Sequence, residues 1–166
     1  MRHDGFVFRV RAAGLLLTAA YLVLVGWQLL RPHNVAWVSA PNLQPLDTIR
    51  DDLSLGPLQA ARRLGAGLGL LAPLGVLLPM AGGRADSSGL ASFVRTTFAG
   101  LMVSLLVEFA QTMVPGQIFD VDALILNTVG VAAAHLLIVP AARRRILREA
   151  APIPQTAHEP LPASMP

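Results

Sequence analysis

An all-α, integral membrane bundle of four transmembrane helices with cytoplasmic termini is the fold class this sequence predicts. Three observations lead there. Hydrophobic residues make up 54% of the 166 positions and charged residues 14%, where a soluble domain of ordinary composition carries about a quarter charged. The apolar residues gather into four runs, each near the ~20 residues that a helix needs to cross a hydrocarbon core of ~30 Å. The cations, all thirteen of them arginine, border those runs and are divided unequally between the two sides.

Residues 1–9 read as a cytoplasmic N-terminus and 10–140 as the membrane domain. The first run, about 10–30, is "VRAAGLLLTAAYLVLVGWQLL", with Arg9, Arg11 and Arg31 at its borders and Tyr21 and Trp27 as interface anchors. Its apolar core exceeds the roughly 7 to 15 residues of a signal-peptide h-region, so it reads as a retained signal anchor. The second run, about 64–80, is "LGAGLGLLAPLGVLLPM". Pro73 kinks it, which neighbouring helices accommodate in a membrane, and Gly65 and Gly69 stand at the small-xxx-small spacing that permits close helix approach. The third run spans about 92–114 and the fourth about 121–139. Between them "PGQIFD" carries Pro115 and Gly116 as turn formers, so the last two helices form a tight antiparallel hairpin.

The connections are polar. Between the first two helices, "PNLQPLDTIRDDLSLGP" places Leu46, Ile49 and Leu53 at helical spacing from Asp47 onward. That pattern fits a short amphipathic helix lying along the interface; a solvated loop is the other reading. "AGGRADSSG" joins the second and third helices. Residues 141–166 begin with the basic "AARRRILRE" and continue into a stretch with five prolines from Ala151 on, which reads as a disordered cytoplasmic tail. Nine arginines fall at the termini and in the second connection, against four on the opposite side, so the positive-inside rule assigns both termini to the cytoplasm. Asp47, Asp51, Asp52, Asp120 and Asp122 then share the outer face.

With no cysteine in the chain, thiolate metal sites, disulfides and cysteine nucleophiles are excluded. His135 has no second histidine near it in sequence, which argues against a metal site. No phosphate-binding glycine loop or GxSxG elbow is present, and no cofactor is expected. The arginine positions are explained by topology, so nucleic acid is not a partner; the bilayer is. The sequence identifies no protein partner.

The remaining polar residues are costly ones. On the third helix Thr97, Ser104, Glu108 and Gln111 fall along one stripe, and on the fourth Asp120, Asn127, Gly130 and Ala134 fall along another. An ionisable side chain at bilayer depth costs ~2.5 kcal/mol or more, so it needs a partner, a wet cavity or a function. Counting inward from the turn, Glu108 and Asn127 come out at one depth, roughly 10 Å in, which pairs them across the hairpin. Two readings stand. In one, Glu108, Gln111 and Asn127 are interhelical glue that fixes register; in the other, Glu108, Gln111, Asn127 and Asp120 border an outward polar pocket. Asp122 reads as a first-turn acid favouring the dipole of its own helix. Ser104 with Glu108 could serve as nucleophile and base, but nothing supplies an oxyanion hole, so no catalytic residue is assigned.

The runs "SLLVEFAQ" and "PGQIFDVDALILNTVG" resemble the signature of VanZ-like membrane proteins, an ExxQ on one helix and an N-x-x-G on the next. "PNLQPLDTI" is similar to the Asn-Leu-x-Pro-Phe segment of that family, and "LGLLAPLGVLLP" to its second-helix segment, so the resemblance covers most of the chain. The matching positions are Asn42, Pro45, Pro73, Gly75, Glu108, Gln111, Asn127 and Gly130. Gln117 stands where the family usually has arginine, Ala123 where it has aspartate, and Leu46 where it has phenylalanine. The resemblance implies a small bacterial plasma-membrane protein of the cell envelope, in a family named for a member associated with resistance to the glycopeptide antibiotic teicoplanin. A non-enzymatic protein contacting a lipid or other amphiphile through Glu108, Gln111, Asn127, Asp120 and Asn42, an intramembrane enzyme acting on a lipid-linked substrate and an accessory subunit of a membrane complex are the functions it leaves open.

Overall fold

A computed structural model describes residues 2–32, 40–82 and 88–149. Its six helices are α1 (Arg2–Leu29), α2 (Asp47–Ser54), α3 (Pro57–Leu71), α4 (Leu74–Gly82), α5 (Gly89–Gln111) and α6 (Val121–Glu149). Among the described residues four apolar spans are long enough to cross a bilayer: Phe8–Leu29, Pro57–Gly82, Gly89–Gln111 and Val121–Ala142. The chain is an all-α, four-span membrane bundle.

The second span is α3 and α4 together, parted at Ala72 and Pro73. Proline has no N–H to continue the ladder, and α4 restarts with the N–H groups of Val76 and Leu77 on the Pro73 carbonyl. The span also begins earlier than its apolar run, at Pro57, because Arg62 and Arg63 are helical too. Proline at the first position costs α3 nothing, since that N–H has no intrahelical acceptor.

α6 is the central element, packing against α5, α3 and α4, while α1 packs against α4. The buried core is small: Val25, Leu71, Leu74 and Val131, with Tyr21, Leu70, Leu78 and Val103 against it. Leu16, Val23, Leu90, Phe98, Leu106 and Leu137 are instead exposed, as side chains facing lipid should be. Helix approach depends on glycines other than those singled out by spacing. A Cβ on Gly65 or Gly69 would meet nothing, whereas one on Gly130 would collide with the Leu68 carbonyl and one on Gly75 with the Val131 carbonyl. The small-xxx-small pair therefore marks no close helix approach, and the face of α3 that meets α6 is the one bearing Gly67 and Leu68.

Two further differences from the sequence reading bear on the site. α5 ends at Gln111, not near 114, and Thr112 to Gln117 form successive turns, with Gly116 at φ 85°. α6 continues through Pro140 to Glu149, so "AARRRILRE" extends a helix where a tail was expected. The Pro-rich stretch of that tail lies outside the described residues. Among the span-end anchors, Trp27 is exposed with the Arg31 guanidinium 5.6 Å from its ring centroid, while Tyr21 turns inward and donates to the Leu70 carbonyl beside the Pro73 break.

Candidate functional site

The polar residues converge at one end of the bundle, where the chain leaves α1, passes through α2 and later turns from α5 into α6. Asn42 joins these segments. Its N–H donates to the Phe119 carbonyl at 3.0 Å and its carbonyl accepts from Val121 N–H at 3.1 Å, a parallel bridge centred on Asp120. Its side-chain amide donates to Asp120 Oδ1 at 2.8 Å, to Thr48 Oγ1 at 2.9 Å and more weakly to Asp122 Oδ2 at 3.4 Å. The first connection is thereby laid against the entrance to α6.

The two aspartates divide the capping between them. Asp120 Oδ1 accepts the Asp122 N–H at 2.8 Å and caps α6. Asp122, with 0% exposure, caps a different helix: Oδ1 accepts the Leu46 N–H at 2.5 Å and Oδ2 the Ile49 N–H at 3.2 Å, at the N-terminus of α2. The orphan N–H groups and positive dipole end of α2 explain a carboxylate there. Asp122 stands in the first turn of α6, as the sequence reading has it, and its carboxylate caps α2 in addition. α2 itself forms as the Leu46, Ile49 and Leu53 pattern predicts, with Leu46 and Leu53 exposed and Asp52 turned in to pair with Arg63 at 3.0 Å.

Glu108 and Asn127 are both buried, 4% and 2% exposed, between α5 and α6, but they are not partners. With α5 ending at Gln111, Glu108 lies in the last helical turn and reaches up to accept the Asp120 N–H on Oε2 at 3.0 Å. Asn127, six residues into α6, is about 9 Å down its axis. Ser104 is at that depth on α5, and it accepts the Asn127 amide at 3.0 Å. The shared stripe was legible, but the register was off by one turn because the helix end was placed three residues late. The Asn127 carbonyl oxygen is buried without a hydrogen-bond partner.

Above the Ser104 and Asn127 pair opens a cleft of about 430 Å³, lined by Glu108, Gln111, Gly116, Gln117, Ile118, Asp120 and Ala123. Gln111 donates to Gln117 Oε1 at 2.7 Å, and Gln117 in turn donates to the carbonyls of Leu29 at 2.5 Å and Arg31 at 3.1 Å. Gln117 thus ties the end of α1 to the end of α5, a role its composition alone did not reveal; a polar side chain between Gly116 and Ile118 in a short turn was the available signal. Of the five site residues read from sequence, Glu108, Gln111 and Asp120 line the cleft. Asn42 stands behind Asp120, and Asn127 is buried one turn below Ala123. Among the described residues no arginine pairs with Glu108, Asp120 or Asp122, and no three histidine, aspartate or glutamate side chains converge as metal ligands. His135 is buried far from this end, its Nδ1 3.1 Å from the Gly75 carbonyl and its ring against Phe93.

The VanZ/LLP1 family model matches residues 18–145. That stretch holds all four spans from the middle of α1 onward, the docked first connection and every residue of the cleft. No curated protein and no solved structure matches the chain. The match extends over well more than half of the sequence, and it contains the Glu108, Gln111 and Asn127 pattern on the two helices that build the cleft: this chain belongs to the VanZ/LLP1 family.

Proposed function

We propose that this protein is a non-enzymatic component of the bacterial cell envelope that contacts a lipid or another amphiphile, such as a glycopeptide antibiotic, through the cleft between the ends of α5 and α6. It resides in the plasma membrane with both termini in the cytoplasm and the cleft toward the outside, the orientation that the arginine distribution favours. The observation that carries this reading is the cleft itself. A concave site of about 430 Å³ with Glu108, Gln111 and Asp120 in its walls lies at the boundary where an amphiphile presents its polar end.

The non-enzymatic reading is supported by Ser104. Its hydroxyl, the nearest nucleophile type to Glu108 along α5, is fully buried and engaged with Asn127, so no substrate carbonyl reaches it without opening the helix pair. The test is expression of the chain and of Glu108→Ala in a susceptible bacterium, reading glycopeptide susceptibility and membrane lipid composition, with photo-crosslinking from positions 111 and 123. A change in either phenotype that Glu108→Ala removes, together with crosslinks to an amphiphile, is expected. Neither phenotype changing, with no amphiphile captured, ends the proposal.

A further inference from the structure

Taking that cleft as the ligand site, we infer that its occupant is a lipid whose headgroup carries a primary ammonium. The argument is an inventory of donors and acceptors in the cleft walls. Most of the side-chain donors are engaged within the protein. The Gln111 amide donates to Gln117, the Gln117 amide to the Leu29 and Arg31 carbonyls, and the Asp120 N–H to Glu108. The acceptors are not spent in the same way. Glu108 uses Oε2 for the Asp120 N–H, and Asp120 uses Oδ1 for Asn42 and for the Asp122 N–H. Among the described residues no hydrogen bond reaches the second carboxylate oxygen of either, or the Gln111 carbonyl oxygen.

Charge points the same way. Glu108 is 4% exposed and lines the cleft, and among the described residues no cation pairs with it or with Asp120. Two carboxylates at the edge of an apolar span are costly without a counter-charge. An ammonium group, with three N–H donors and one positive charge, supplies what these walls lack. An anionic or donor-free headgroup does not.

The surroundings favour a lipid over a free amine. Ile118 forms part of the wall, and Phe109, in the last turn of α5, and Met113, just after it, are exposed for acyl chains to cover.

The experiment uses the full chain in nanodiscs of phosphatidylcholine doped equally with phosphatidylethanolamine and phosphatidylglycerol, and reads by native mass spectrometry the lipid retained on the protein after release. Phosphatidylethanolamine retained over the quaternary and anionic lipids by roughly tenfold, the worth of one charge-assisted hydrogen bond, is expected. Glu108→Gln, which keeps an oxygen for the Asp120 N–H, removes the preference. Ala123→Lys places an ammonium in the cleft from its own wall, so it lowers phosphatidylethanolamine retention and raises the unfolding temperature. Equal retention of the three lipids, or a preference that survives both substitutions, overturns the inference. Soluble ethanolamine binding where the lipid does not overturns the lipid assignment. If crosslinking from positions 111 and 123 captures an amphiphile while no headgroup preference is found, the cleft remains the site and only the headgroup chemistry is wrong.

Discussion

The Asp122 carboxylate, in the first turn of α6, holds the backbone N–H of Leu46 at 2.5 Å, at the residue that opens α2. The contact joins segments 76 residues apart, and with the Ile49 N–H it satisfies two donors that no residue of α2 can reach. Asp122→Ala should destabilise the protein by about 1–3 kcal/mol, the cost of leaving such groups without partners. Asp122→Asn, which retains one acceptor oxygen, should fall between. Hydrogen exchange read peptide by peptide is the measurement, with faster exchange confined to α2 and its approach. Uniform loosening of all four spans would contradict this assignment.

Asn42 serves Asp120, Thr48 and Asp122 with one amide. Asn42→Ala should cost about 1–3 kcal/mol for the same reason. Asn42→Asp should cost more, because it places a third carboxylate against two others. Thermal unfolding of the purified variants in one detergent gives the ranking, and an Asn42→Asp protein as stable as Asn42→Ala would show that Asp120 and Asp122 do not sense charge at position 42.

The glycines of α3 and α6 give a paired test. Gly130→Ala drives a methyl into the Leu68 carbonyl and should destabilise by about 1–3 kcal/mol, as overpacking does. Gly65→Ala meets open space and should be neutral, or stabilising by up to about 1 kcal/mol through helix propensity. Unfolding temperatures of the two variants measured side by side decide whether the α3 contact face is correctly identified.

Ser104 and Asn127 form the interhelical hydrogen bond below the cleft. A double-mutant cycle with Ser104→Ala and Asn127→Ala should return a coupling of about 0.6 kcal/mol, the average for such bonds in membranes. The corresponding cycle for Glu108 and Asn127 should return close to none, since Glu108 bonds the Asp120 N–H instead.

Orientation can be read directly because the chain has no cysteine. A single cysteine at Leu43 should react with a membrane-impermeant maleimide on intact cells, and one at Ser88 only after lysis. The reverse pattern would turn the cleft toward the cytoplasm.

The spans were legible because length and hydropathy act locally: a run of apolar residues between arginines needs no knowledge of its neighbours. The proline break at Pro73 was legible for the same reason. What escaped is non-local. Nothing in the composition around Asp122 says that its oxygens face Leu46 and Ile49, because that depends on how the first connection folds back. The pairing of Glu108 failed by one turn, since the end of α5 is set by turn geometry at Thr112 to Gln117 and not by where apolar character fades. The helix through Pro140 was missed because a proline reads as a stop, yet the chain continues helical beyond it. The residues of the cleft were found as types that are expensive in lipid; which of them share a wall was left to tertiary structure.

The tie between Asp122 and α2 also bears on biogenesis. During synthesis α2 emerges long before the carboxylate that caps it, so the first connection waits at the membrane surface with its leading N–H groups bound to water. Insertion of the α5–α6 hairpin delivers Asp120 and Asp122 together, and only then can Asn42 and Leu46 settle. Assembly of this end of the molecule therefore waits for α6, and a chain truncated before α6 should keep its first three spans without building the cleft.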